Sequence, residues 1–384
     1  MIIKQLQLKH FRNYEEMTVN FNNKINIFIG KNAQGKTNIL ESIYTLAITK
    51  SHRTHFDTNL IKKDCKCAKI RGTISKKNQK DDSELEVLIN NKGKKASINH
   101  NPTRKISDYI SYFNVIIFHP DDLDIIKGSP VERRKFLNIE IGQLDNRYFL
   151  ILNNYNTILK NRNEYLKRVS IGNYDANYLE ILTNQLIDNA IKIYAYRHEF
   201  VDKINVAIEL VNGKIQGLDN LSLKYETSLP LCNNEDMRQK LLAKFHANIQ
   251  KEIAMSQTMI GPHRDDFLFF TNGRNLKEFG SQGQQRMAVL SLKLAEIELF
   301  KEEKGEYPVL LLDDIFSELD SDKRHKIIKY LNKRMQIIIT TTDISDIEKS
   351  IIARATIFLV DKAQVVEKVI IKERYNRGES NGRK

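Results

Sequence analysis

The sequence is poor in the features that mark secreted, membrane-spanning or metal-scaffolded proteins. It holds three cysteines, Cys65, Cys67 and Cys232, too few and too scattered for a disulfide framework. Cys65-Lys66-Cys67 has the look of half a metal site, but no second Cys or His pair follows at ligand spacing. Three free thiols in a reducing compartment are expected. No apolar run approaches the ~20 residues of a membrane-spanning helix. The opening MIIKQLQLKHFRNY has neither the apolar core nor the cleavage site of a secretory leader. There is no internal repeat. The absence of a helix-turn-helix or zinc-finger pattern excludes the familiar routes to base-specific DNA readout. The chain is therefore expected in the cytoplasm, with no membrane partner.

What is there describes a globular protein: 384 residues, 41% hydrophobic and 28% charged. That length allows one large domain with insertions or two to three smaller ones. Against 48 acidic residues stand 61 Lys and Arg, a net charge of +13. Such an excess favours polyanionic partners, nucleic acid before anionic membrane.

Residues 1–118 read mostly as short strands broken by lysine-rich turns, with Ile25–Ile29 running straight into Gly30. From about Tyr148 the period changes. Leu152, Tyr155, Leu159 and Leu166, then Leu179, Leu182, Leu186, Ala190 and Ile193, repeat at helical spacing. Two long amphipathic helices about a polar break predict a helical hairpin or short coiled-coil arm. Strands return at Val309–Leu312, Ile337–Thr340, Ile357–Val360 and Val365–Ile371, followed by a polar tail expected to be disordered.

Gly30-Lys31-Asn32-Ala33-Gln34-Gly35-Lys36-Thr37 fits the P-loop pattern, with an apolar strand before it and a helical pattern after it. Backbone N–H groups there cradle phosphates, Lys36 reaches the β- and γ-phosphates, and Thr37 ligates Mg²⁺. The chain is thus expected to bind ATP with Mg²⁺. A P-loop needs an acid on a second strand, and Val309–Leu312 ends in Asp313 and Asp314. Asp313 would hold the metal. Asp314 would orient or deprotonate the attacking water. Arg12 and Asn13 are placed at the edge of the nucleotide pocket. The basic residues Arg53, Arg104, Arg133 and Arg134 are candidates for DNA phosphates, and each is equally open to being an internal ion pair.

One octet resists a simple reading: Phe279-Gly280-Ser281-Gln282-Gly283-Gln284-Gln285-Arg286. Alone it suits a loop that opens a helix with Ser281 as N-cap. Its order in the chain, after the P-loop and before the Asp313-Asp314 strand and Ser317–Asp320, resembles the ABC-type ATPases. That resemblance implies that Ser281, Gly283 and Gln284 reach the nucleotide held by a partner subunit, with Ser317–Asp320 contacting the opposite subunit. The strings LKHFRNY from Leu8, FHPDDL from Phe118, KGSP from Lys127 and GPHRDD from Gly261, with LLLDDIFSELD, narrow it. Together they resemble the RecF family of bacterial recombinational-repair proteins, relatives of the SMC-type ATPases.

The resemblance implies an α/β fold: an ABC-type P-loop ATPase head, a mixed β-sheet with flanking helices, carrying an inserted helical or coiled-coil arm. The head would combine residues 1–145 and 260–370, with the arm at 146–258 and a tail at 371–384. It implies an ATP-dependent homodimer that binds single-stranded, double-stranded or gapped DNA without base specificity. Such a dimer would work with RecO- and RecR-type proteins in recombinase loading, replication and the SOS response. Two positions depart from the wider ABC pattern. Thr341, Thr342 and Asp343 stand where a switch histidine is usual. His119, Asp121 and Asp122 stand where a glutamine loop is usual. Slow hydrolysis, of the kind a switch uses, is the expectation. A transporter's nucleotide subunit would need both missing features, and a small-molecule kinase would have no use for the octet.

Overall fold

The computed structural model describes residues 1–77, 79–169, 175–227, 234–315 and 335–369, with Arg324, Tyr330 and Leu331 between them. Ser317–Asp320 and the tail 371–384, both singled out above, lie outside the described residues.

Strand β1 (Ile2–Phe11) turns back as β2 (Tyr14–Asn20), and β3 (Ile25–Ile29) leads through the P-loop into α1 (Lys36–Ile48). Strands β4 (Cys67–Ser75), β5 (Ser83–Asn90), β6 (Gly93–Ile98) and β7 (Asn101–Pro102) follow. The short helices α2 (Ile106–Tyr109) and α3 (Asp124–Lys127) flank β8 (Val115–Phe118). Then come α4 (Pro130–Leu144), α5 (Asn146–Val169) and the 40-residue α6 (Ala176–Ile215). Strand β9 (Ser222–Glu226) and α7 (Asn234–Met255) precede β10 (Asp266–Thr271), β11 (Arg274–Asn275) and α8 (Leu276–Phe279). The long α9 (Gln282–Lys304) is followed by β12 (Val309–Asp313), β13 (Ile337–Thr341), β14 (Ala355–Asp361) and β15 (Gln364–Val369).

Two compact units result. One comprises residues 1–102, 117–119 and 308–384, and the other 103–116 and 120–307. The division departs from the expected boundaries. Residues 120–145 and 260–307 fall in the helical unit because α4, β10 and α9 bury their apolar faces on α5 and α6 and on one another.

In the first unit a six-stranded antiparallel sheet runs β2-β1-β4-β5-β6-β7. Its strands β4 and β5 alternate buried and half-buried residues, the pattern of a sheet with one face on a core. The second sheet runs β15-β14-β3-β13-β12-β8, parallel from β14 to β12. Its inner strands, INIFI, VLLLD and IIITT, are near-continuous apolar runs buried on both faces, as central parallel strands must be. The buried Gln336 joins the two sheets. Its amide donates to the Ile3 and Asn22 carbonyls at 2.8 Å each and accepts from Ile3 N at 2.8 Å.

In the second unit the expected hairpin is α5 and α6. Buried side chains run along α6 from Leu179 to Ile215, against α5, α7 and α9. The hairpin is thus a packed layer of its unit. Arg162, on α5, is fully buried. It donates to Glu252 (2.7 Å), Thr258 (2.8 Å) and Thr183 (3.0 Å). No helix among the described residues is long and apolar enough to cross a membrane.

Candidate functional site

The register of the parallel sheet builds the site. Ile29 pairs with Thr341 and Thr340 with Asp313, so β3, β13 and β12 end in one row. Ligands in open α/β sheets bind at that carboxyl edge. There Thr37 Oγ1 donates to Asp313 Oδ1 at 3.0 Å, and Thr340 Oγ1 donates to the same oxygen at 2.6 Å. Residues 276 positions apart therefore form one cluster of hydroxyl and carboxylate oxygens. Hard oxygen ligands of this kind suit Mg²⁺.

The P-loop's shape is enforced by its neighbours. A Cβ at Gly30 would lie 2.3 Å from the Val360 carbonyl oxygen, so only glycine lets β14 pass so close. Gly35 adopts φ +112°, and a Cβ there would meet Asn13 Nδ2 and Tyr14 Oη at 2.9 Å each. Tyr14 Oη donates to the Gly35 carbonyl at 3.1 Å. Gln34 braces the loop. Its side chain accepts from Lys362 N at 2.5 Å and its carbonyl from Ala363 N at 2.9 Å. Lys31, Asn32 and Ala33 are exposed, Ala33 in the left-handed region at φ +63°. Lys36 is buried and donates to the Gly30 and Lys31 carbonyls at 2.6 and 2.9 Å. Burial lowers its pKa, and the Asp314 and Asp313 carboxylates oppose that shift. Asp314 has φ +52°, and its N–H donates to Thr340 O at 3.2 Å.

Beside the P-loop, Arg12 grips Glu41 of α1 with Nε at 2.8 Å and Nη2 at 2.5 Å. Asn13 accepts from Asn38 at 2.7 Å. At the positions where a switch histidine is usual, Thr341 Oγ1 donates to the Asp343 carbonyl at 2.9 Å, and the Asp343 side chain caps Ser345. His119 stacks at a tilt on His52, ring centroids 5.2 Å apart.

In the helical unit the octet opens α9 with a reciprocal cap. Ser281 Oγ accepts from Gln284 N at 3.2 Å, and Gln284 Oε1 accepts from Ser281 N at 2.9 Å. Phe279 and residues 281–284 are exposed. Gly283 is unusual in a helix's first turn, where alanine is about 1 kcal/mol more favourable. Nothing among the described residues demands it: the nearest of their atoms to an added Cβ is Ser281 Oγ, 4.0 Å away.

The basic candidates divide. Arg53 is exposed, donating to Asn38 Oδ1 at 2.9 Å, and Arg104 is exposed. Arg133 corrects the expectation for its cluster. It is 1% exposed, pairs twice with Asp266 (2.6 and 2.8 Å) and donates to Gly128 O at 2.9 Å. A guanidinium so enclosed is an internal counter-ion and presents nothing to a DNA phosphate. Half-buried Arg134 likewise turns inward, to the Asp265 carbonyl at 2.8 Å. Sequence reasoning missed Arg197, 1% exposed on α6. It donates to Tyr148, Tyr225, Asn138 and the Pro262 carbonyl. It therefore anchors the GPHRDD stretch, whose His263 bonds Tyr155 at 2.5 Å and whose Asp265 accepts from Tyr225 at 2.7 Å.

Comparison with known proteins agrees with this geometry. A family model described as the RecF/RecN/SMC N terminal domain matches residues 2–364. The DNA replication and repair protein RecF of Ligilactobacillus salivarius is 42% identical, over 96% of this chain and 98% of its own length. RecF of Bacillus velezensis is also 42% identical, over 96% of this chain and all of its own. Among solved structures, the recombination mediator protein RecF with ATP superposes with a TM-score of 0.88. Its identity is 31%, covering 96% of this chain and 97% of that one. An Smc head domain from Pyrococcus furiosus, 16% identical with a TM-score of 0.51, shares the fold over 94% of this chain and 93% of that one. The fold is the ABC-type ATPase head common to SMC and RecF proteins, and on these identities the chain belongs to the RecF family.

Proposed function

We propose that this chain is an ATP-gated DNA-binding protein of recombinational repair and replication. The observation that carries the reading is the bond from Thr37 Oγ1 to Asp313 Oδ1. It joins the P-loop to the acid strand where a nucleotide's metal must be held. Thr37 and Asp313 would hold Mg²⁺, which when bound neutralises phosphate charge. Lys36, drawn against P-loop carbonyls, exchanges those partners for phosphate oxygens. Asp314 orients the attacking water. The buried Thr341 and the Asp343 turn stand where a histidine would speed turnover, so hydrolysis is slow.

Ser281, the exposed Gly283 and the N-terminus of α9 would complete a partner subunit's nucleotide site, with donors aimed at phosphate. A glycine that nothing among the described residues requires is what close approach from outside would demand. ATP, with its γ-phosphate, then has contacts in the closed homodimer that ADP lacks, and that difference is what shifts a population. The dimer would bind gapped, single-stranded or duplex DNA through phosphates, with Arg53 and Arg104 as candidates. It would act in the cytoplasm with RecO- and RecR-type partners in recombinase loading and the SOS response.

The test combines sedimentation with DNA-binding anisotropy, on gapped and duplex DNA, with ATP, ADP or no nucleotide and Mg²⁺. An ATP-specific dimer with tighter DNA binding is expected, and log affinity should fall linearly with log salt. Equal behaviour in ATP and ADP would sink the proposal.

A further inference from the structure

Glu41 lies on α1, one helical turn beyond Thr37 on the same face. Its side chain is completely buried, yet it is surrounded by donors. Arg12 binds both its oxygens, Ser51 Oγ donates to Oε1 at 2.5 Å, and Arg53 Nη1 stands 3.5 Å from Oε2. A second route links the same residues. Arg53 donates to Asn38, Asn38 donates to Asn13, and Asn13 stands against Gly35 of the P-loop. Ser51 Oγ also accepts from the N–H groups of Arg53 and Thr54, which fixes the loop that carries Arg53.

Two guanidiniums share one carboxylate, so the cluster keeps an excess of one positive charge. The exposure of the two arginines differs. The Arg12 side chain is 21% exposed beside the P-loop, while that of Arg53 is 43% exposed. Arginine is the residue suited to planar, two-point phosphate recognition, and holding it in one rotamer in advance lowers the cost of binding. We propose that Glu41 is a positioning residue that holds two arginines for two polyanions, Arg12 for the nucleotide and Arg53 for a DNA phosphate. This rests on the reading of the chain as a protein that binds both.

The measurements are the affinity for a fluorescent ATP analogue and the salt dependence of duplex DNA binding without nucleotide. Glu41→Gln should weaken the analogue several-fold and reduce the slope of log affinity against log salt by about 0.9, one phosphate contact. A general loss of structure would instead lower DNA affinity at every salt without that change of slope. In a double-mutant cycle, Glu41→Gln should change the slope no further once Arg53→Gln is present. A folded Glu41→Gln with the parent's slope, or additive effects in the cycle, would overturn the proposal. Should Glu41→Gln not fold, Arg12→Gln and Arg53→Gln give a second cycle. Removing Arg12 leaves the carboxylate to Arg53 alone, so the two effects on the slope must be non-additive. Strict additivity again overturns it. A parent chain that binds no DNA at low salt would instead remove the functional reading on which the inference rests.

Discussion

Arg53 in the P-loop unit and Arg162 in the helical unit are both arginines beside a buried glutamate, and the fold treats them oppositely. Arg162 and Glu252 are both fully buried, and the guanidinium also donates to Thr183 and Thr258. Around Glu41 two guanidiniums crowd one carboxylate, and the outer one faces water. The helical unit balances its charges internally, as Arg133 with Asp266 also shows. The P-loop unit leaves a positive remainder at its surface. A count of basic residues cannot separate these cases, because what matters is whether an acceptor waits within reach.

The contrast is broken most sharply by Arg162→Met, which strands a buried carboxylate. Urea unfolding should show a loss of about 3–5 kcal/mol, whereas Arg53→Gln, at an exposed site, should cost less than about 1 kcal/mol. Equal costs would erase the distinction between the two units. Next in size is Lys36→Met, expected to weaken nucleotide binding at least tenfold through loss of charged hydrogen bonds worth about 1.5–3 kcal/mol. Its melting temperature without nucleotide serves as the control for folding.

A third test sharpens the role of the octet. Ser281→Asp keeps an N-cap acceptor, so the isolated subunit should melt within about 0.5 kcal/mol of the parent. A carboxylate aimed at phosphate should nevertheless abolish ATP-dependent dimerisation in sedimentation. A dimer as strong as the parent's would reduce the octet to a helix cap.

The smallest effect is a near-cancellation. Burial raises the Asp265 carboxyl to about 6 and lowers the neighbouring His263 to about 4. For Asp265 the folded state holds the proton more tightly than the unfolded chain, so its contribution is present at low pH and lost as pH rises through about 6. For His263 the contribution is present above the ordinary histidine range and lost as pH falls through about 4. Between those values the two contributions oppose each other and nearly cancel. Asp265→Asn should leave stability rising with pH across that window, and His263→Gln should leave it falling. Unchanged profiles in both variants would show that the pair does not titrate this way.

The sequence made some of this legible and hid the rest, for physical reasons. The Gly30–Thr37 loop and the Asp313 strand could be read because each is short and locally determined: an apolar run, then the residues its chemistry needs. That Thr37 and Asp313 must meet followed from the chemistry itself. Arg133 was illegible because its partner, Asp266, lies 133 positions away, and a basic tripeptide looks the same buried or exposed. Gln34 and Gln284 are expected at the nucleotide, and what the sequence did not show is that their side chains also brace a hairpin and cap a helix within the chain. The unit boundary shifted because helical periodicity shows which face is apolar, but not which element will cover it.

Strand β3 lies between β13 and β14, and Gln336 ties the backbone at Ile3 and Asn22 to the far end of the chain. The P-loop residues, early to leave the ribosome, therefore wait for nearly the last. Until Ile337–Thr341 emerge, the apolar strand INIFI has neither neighbour, and the second arrives only with Ala355–Asp361; unpaired strands in such a state invite wrong pairing. A chain cut short by a premature stop before β13 therefore lacks both strands that flank the P-loop strand, and the Thr37–Asp313 cluster at the end of that sheet has no frame on which to form.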